Sequence, residues 1–179
     1  MDVLGLLTEE PIRGGGDVPL SPYAPLLGSW EVTSIFYAPD GSTREQAGEW
    51  HFTSILGGLG VQDVLFVKEA PVEERGTSLR CYDAAIDAWR VVWMMPKPRE
   101  FSVLVGRRVG ERIVQEGTDL GGTTRQRWTF SNITGRSFLW QGEVSEDDGL
   151  TWRTTHEMRA QRMAPAGQPH GASPPASAA

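Results

Sequence analysis

The sequence predicts an all-β protein, an antiparallel up-and-down closed barrel of about ten strands. Three observations lead there. Between residues 28 and 163 the apolar residues recur with a period of two. The periodic segments are short and are separated by Gly, Asp and Pro turns, as in a chain of hairpins. With 21 Gly and 12 Pro in 179 residues, no stretch of this region holds a helical period beyond two turns. A meander with no long crossover satisfies its edge strands best by closing on itself.

The elements follow in order. Trp30, Val32, Ser34 and Phe36 alternate with Glu31, Thr33, Ile35 and Tyr37 on the first strand. Pro39-Asp40-Gly41-Ser42 turns the chain. Trp50 and Phe52 alternate with Glu49 and His51 on the second strand, and Gly57-Gly58-Leu59-Gly60 interrupts before Val61 to Val67. Thr77 to Tyr82 is the fourth strand, ended by Asp83-Ala84-Ala85-Ile86-Asp87. Trp89, Val91, Trp93 and Met95 share one face of the fifth, which Pro96 and Pro98 close. Phe101, Val103 and Val105 mark the sixth, and Arg112 to Thr118 the seventh, before Asp119-Leu120-Gly121-Gly122. Trp128 and Phe130, then Phe138 and Trp140, define the eighth and ninth; Trp152, Thr154, His156 and Met158 line the last. Residues 1–22, broken by Gly14-Gly15-Gly16 and three prolines, read as a flexible arm, residues 23–163 as the barrel, and the Ala/Pro/Ser-rich residues 164–179 as a disordered tail.

Composition removes several function classes. The net charge is −6 with no basic run, which argues against nucleic acid as a partner. The longest apolar stretches, such as Val91 to Met95, are too short to span a bilayer as a helix. The first residues lack a basic region and a long apolar run, so no secretory leader is expected, and the single Cys81 fits a cytoplasmic location. The glycine runs lack a Gly-Lys-Ser/Thr ending, no Gly-x-Ser-x-Gly elbow exists, and His156-Glu157 has no second His at the spacing a zincin needs. Glu49 and His51 share a face and form, with Asp63, the one conceivable metal set; three ligands of undefined geometry give no expectation of a metal.

Two local patterns carry resemblances. Ser145-Glu146-Asp147-Asp148-Gly149-Leu150-Thr151-Trp152 resembles the Asp-box hairpin of sialidase-like propellers. One copy in so short a chain implies a hairpin clasp rather than a propeller. Pro25-Leu26-Leu27-Gly28-Ser29-Trp30 resembles the opening of the lipocalins. The resemblance implies a calycin barrel whose Trp30 plugs the closed end, with Arg159 or Arg162 stacked upon it. The wider run, including Gly48-Glu49-Trp50-His51-Phe52 and Tyr82-Asp83, looks like bacterial lipocalin-like proteins without an assigned role. The Leu26-Leu27-Gly28-Ser29-Trp30 run is also similar to that of the nitrobindins, which implies haem held by a histidine near the chain end; His156 falls there. This chain lacks that family's Tyr-Pro-Thr-Ile-like segment and its terminal His doublet, carrying Tyr37-Ala38-Pro39-Asp40 and a lone His156 instead.

Placing Trp30 inside turns in Phe36, Trp50, Phe52, Trp89, Trp93, Phe101, Val103, Trp128, Phe130, Phe138, Trp140 and Trp152. Glu31, Thr33, Arg90, Arg125, Arg127, Glu143, Arg153, Glu157 and Arg159 fall outside. Ten strands enclose more volume than eight, which side chains just fill, so the aromatics are expected to line a cavity. The few inward polar residues are Ser34, Ser54, Thr154 and His156, with Gln115 on the same account. The candidate ligand-binding set is therefore Phe36, Trp50, Phe52, Trp93, Gln115, Trp128, Trp140, Trp152, Thr154 and His156. The leading expectation is a cavity for a hydrophobic small molecule. The alternative is a cyclase or isomerase that folds its substrate against apolar walls, with His156 as catalytic acid/base and Tyr82 or Glu49 as its partner. Haem on His156 is the third, and a homodimer is compatible with all three.

Overall fold

The computed structural model describes residues 2–9, 21–122 and 124–164. Ten strands form one closed antiparallel barrel in sequence order, β10 returning to pair with β1. They are β1 (Gly28–Tyr37), β2 (Thr43–Ile55), β3 (Gly60–Val67), β4 (Gly76–Asp83) and β5 (Ala88–Met95). The second half is β6 (Glu100–Val109), β7 (Arg112–Asp119), β8 (Arg125–Ser131), β9 (Ser137–Ser145) and β10 (Arg153–Arg162). The barrel predicted from the period of two is the barrel observed. Within the segment read as a loose arm, Val3–Leu7 forms a short helix, α1, capped by Asp2. Most of the remainder of that arm, and residues 165–179 of the tail, lie outside the described residues.

One end of the lumen is plugged by the chain that enters β1. A 3-10 turn, Ala24–Leu26, carries Tyr23 and Leu26 into the barrel, where both are fully buried. Trp30 Nε1 donates to the Leu26 carbonyl at 2.7 Å. The Arg162 guanidinium stacks 4.0 Å above the Trp30 ring and donates to the carbonyls of Leu27 (2.8 Å), Pro25 (2.9 Å) and Gly135 (2.6 Å). The expected stack is thus formed, by Arg162 rather than Arg159. Trp30 and Arg162 are register partners across the closing pair β1–β10, so one side chain ties the first strand, the last strand and the plug together. Tyr23 fits because β6 offers Gly106: a Cβ there would collide with the Tyr23 hydroxyl. That hydroxyl accepts from Gln115 Nε2 at 2.8 Å, and burial raises the phenol's pKa.

Phe101 and Val103 correct the expected inner face. Both point outward, 38% and 46% exposed, and Ser102, Leu104 and Gly106 point in. Large residues on β5 require small ones opposite: Trp93 is paired with Ser102 and Trp89 with Gly106. Hydropathy alone chose the wrong phase on β6, because its apolar residues lie mostly on the outer face. The expected charged exterior is present elsewhere, with cross-strand pairs such as Arg127–Glu116 at 2.6 Å.

Candidate functional site

Above the plug the barrel opens into a cavity of about 1050 Å³. Its walls carry a belt of four indoles contributed by β2, β5, β8 and β9. Trp93 meets Trp128 at 6.1 Å between centroids, Trp128 meets Trp140 at 5.8 Å, and Trp140 meets Trp50 at 6.2 Å. The contacts are edge-on or tilted, the arrangement ring quadrupoles favour. Trp93 takes its place over Gly76, where any Cβ would strike the indole.

His156 stands on the adjoining wall. It is the register partner of Phe36, and the two rings stack with centroids 4.1 Å apart. Trp140 closes edge-on at 5.2 Å, and the Arg44 guanidinium lies over the Phe36 ring at 4.5 Å. The Nε2 atom is buried without a hydrogen-bond partner. Desolvation, helped by the nearby Arg44 charge, pulls the imidazole pKa down to about 4. The ring is therefore neutral at physiological pH.

The floor holds a buried ion pair that the sequence reading missed. Asp63 on β3 and Arg80 on β4 contact through Oδ2 and Nη1, both side chains at most 1% exposed. Asp63 Oδ1 accepts from the Ser78 amide at 3.0 Å. Ser78 and Arg80 line the cavity, while the same guanidinium faces the plug rings Tyr23, Phe52 and Phe130 at 5.1, 5.7 and 5.9 Å. Its trace in the sequence is slight: Asp63 shares its phase with Val61 and Arg80 with Ser78, and the register of β3 on β4 brings them together.

Of the expected ligand-binding residues, Phe36, Trp50, Trp93, Trp128, Trp140 and His156 come together around the cavity. Phe52 and Gln115 are buried in the plug instead, Gln115 being spent on Tyr23. Trp152 lies outside the barrel wall. It precedes β10, donates to the Gly149 carbonyl at 3.1 Å, and sits under Arg127 at 3.9 Å. Its place follows from the hairpin clasp, where Asp147 accepts from the Thr151 amide (2.8 Å) and hydroxyl (2.6 Å). Thr154 also leaves the lumen: the ladder shifts register between Thr154 and His156, and Thr155 takes the inward position.

Neither expected partner reaches His156. Tyr82 donates to Asp87 at 2.7 Å, and Glu49 is held by His51 and Lys68 on the outer face. The conceivable metal set is divided by the barrel wall, Asp63 inside with Arg80, and Glu49 and His51 outside. His51 does bridge Ser29 Oγ (2.9 Å) and Glu49 (3.0 Å), a chain resembling a hydrolytic triad, but it lies on the convex outer surface, away from both concavities.

No protein-family model matches the chain, and no curated protein is similar to it. Among solved structures, it is similar to the crystal structure of Rv2717c from M. tuberculosis, with a TM-score of 0.53 and 17% identity. That match covers 82% of this chain and all of the other. The likeness carries the barrel fold.

Proposed function

We propose that this barrel binds a hydrophobic small molecule in its aromatic-lined cavity, in the manner of the lipocalins its opening resembles. The observation that carries this reading is the indole belt around about 1050 Å³ of open volume. That is the upper end of ordinary ligand pockets, and rigid apolar walls with few polar groups are their usual lining. A pKa of about 4 leaves His156 a feeble base near neutrality, far from the value a general acid/base needs there, which speaks for binding over the cyclase or isomerase alternative. The test is titration with a neutral naphthylamine dye, followed by quenching of Trp emission. Trp140→Ala should change the affinity at least threefold, roughly 0.7 kcal/mol. Glu31→Ala, on the outer face, should leave it unchanged. Absence of quenching across a panel of apolar ligands defeats the proposal.

One observation favours haem as a second reading: a neutral imidazole on the cavity wall whose Nε2 has no protein partner, an atom that is buried and meets an iron only once the ring turns off Phe36. His156 would be the axial ligand, and the indoles would enclose the macrocycle. When bound, haem would supply an iron centre for small diatomic ligands. Haemin added to the protein should then give a stoichiometric Soret band that His156→Ala abolishes; no such band leaves only the first reading.

A further inference from the structure

The outer wall is charged over most of its circumference, but one stretch of β4, β5 and β6, bordered by Asp83, Arg90 and Arg107, is apolar. There the register aligns Leu79, Val92 and Val103 in one row and Met94 and Phe101 in the next. These five side chains point away from the lumen and are 38–46% exposed. On β5 the inward positions Val91 and Trp93 are buried as well, so the run from Val91 to Met95 is apolar on both faces. Strands with that pattern are ordinarily covered on both sides.

We propose that this wall is the interface between two copies of the chain. The barrel is closed, so its strands offer no edge for a further strand, and association must be face to face. A sheet face without a groove suits another sheet face, the two packing roughly 10 Å apart, and offers no trough for a helical peptide. Strands lie about 4.8 Å apart and rows about 7 Å apart, so the two rows with their side chains cover on the order of 400 Å². A standard interface buries about 800 Å² per partner, with an apolar centre and a polar rim. The rows are the right size for that centre, and Arg90, Thr77 and Thr118 stand where the rim would be. Two such faces related by a twofold axis make an isologous, closed contact. A bilayer is the poorer occupant, because a chain of net charge −6 is repelled by anionic lipid. The contact lies on the barrel wall, and of the five side chains Phe101 also meets the lining of the cavity at its open end.

The test is sedimentation velocity of the full chain from about 1 to 100 μM, alongside a Leu79→Lys/Val103→Lys variant. The wild type should sediment as a dimer, and the variant should need at least a tenfold higher concentration to associate, with unchanged far-UV circular dichroism. Thr33→Lys, on the outer face of β1, should remain dimeric. A wild type that stays monomeric at the highest concentration overturns the proposal. So does a dimer that the double variant leaves intact, or a monomer that co-sediments with phosphatidylcholine vesicles until the same two lysines are introduced.

Discussion

Arg162→Ala removes the clasp at the closed end, and its cost can be built from parts. The side chain gives three hydrogen bonds to carbonyls and one stack on Trp30. Each hydrogen bond is worth about 0.5–1.5 kcal/mol net. The stack adds about 0.5–1 kcal/mol at an exposed site such as this. Discounting for the exposure of Arg162, a loss of about 2–4 kcal/mol is expected. For a domain of this size that is a fall in Tm of roughly 6–14 °C. The assay is thermal unfolding followed by near-UV circular dichroism, which reports the packing of the buried tryptophans, Trp30 among them. Arg162→Lys keeps the charge but loses the planar fork that reaches several carbonyls at once, and should recover less than half of the loss. Arg159→Ala breaks only the exposed pair with Glu157 and should shift Tm by about a degree or less. If Arg162→Ala melts within 2 °C of wild type, or Arg162→Lys restores it fully, the clasp contributes nothing and the closed end is held by apolar packing alone.

Gly106→Ala should destabilise by about 1–3 kcal/mol in chemical denaturation, because the added methyl overlaps the Tyr23 hydroxyl and either displaces the plug or strains β6. An unchanged midpoint would show that Tyr23 does not occupy its place under Gly106. The imidazole of His156 has a folded-state pKa near 4, below the ordinary 6.5, so the unfolded chain takes up its proton first as pH falls. Its contribution is therefore present above pH 6.5 and lost progressively between 6.5 and 4, up to roughly 3 kcal/mol. His156→Phe, which keeps the stack on Phe36, should flatten that part of the stability–pH curve; equal slopes in the two proteins would place His156 in water.

How much of this was legible in the sequence depended on whether one face of a strand was clearly polar. On β1 the phase is unambiguous, since Glu31 and Thr33 oppose Trp30 and Val32, and the tryptophan clasp followed. On β8 and β9 the aromatics define the inner face, and all four point inward, Trp128 and Trp140 to the cavity and Phe130 and Phe138 to the plug. On β6 both faces are apolar or small, so a period of two fixes the alternation but not which set is inside; a slip of one residue exchanges them. Phe101 and Val103 were misplaced for that reason. The Asp63–Arg80 pair was hidden differently. Arg80 sits between Leu79 and Cys81, and hydropathy sends it out. Only the β3–β4 register, which sets Asp63 beside Ser78, reveals an inward partner for it. Trp152 was assigned to a strand that begins one residue later, because the hairpin clasp ahead of it uses the indole to cover its own turn.

The division of the lumen follows from these same residues. Ten strands enclose more space than their own side chains fill, and the segment before β1 takes up the excess at one end only. Tyr23, Leu26, Trp30, Phe130 and Phe138 close-pack there as an ordinary core. At the boundary the chain places a charge pair where an apolar pair of similar volume would stabilise the fold at least as well. Arg80 faces the plug rings on one side and underlies the cavity floor on the other, its side chain at most 1% exposed. Asp63 balances the guanidinium, so the floor beneath the indole belt carries no net charge. The opposite choice is made at His156, where burial keeps the ring neutral and Nε2 without a partner. Charged side chains also reach the lining from the open end, Arg44 on β2 and Lys68, Lys97 and Arg99 on the turns after β3 and β5. The lumen therefore grades from a close-packed apolar plug, through a neutralised ion pair and the indole belt, to a charged mouth.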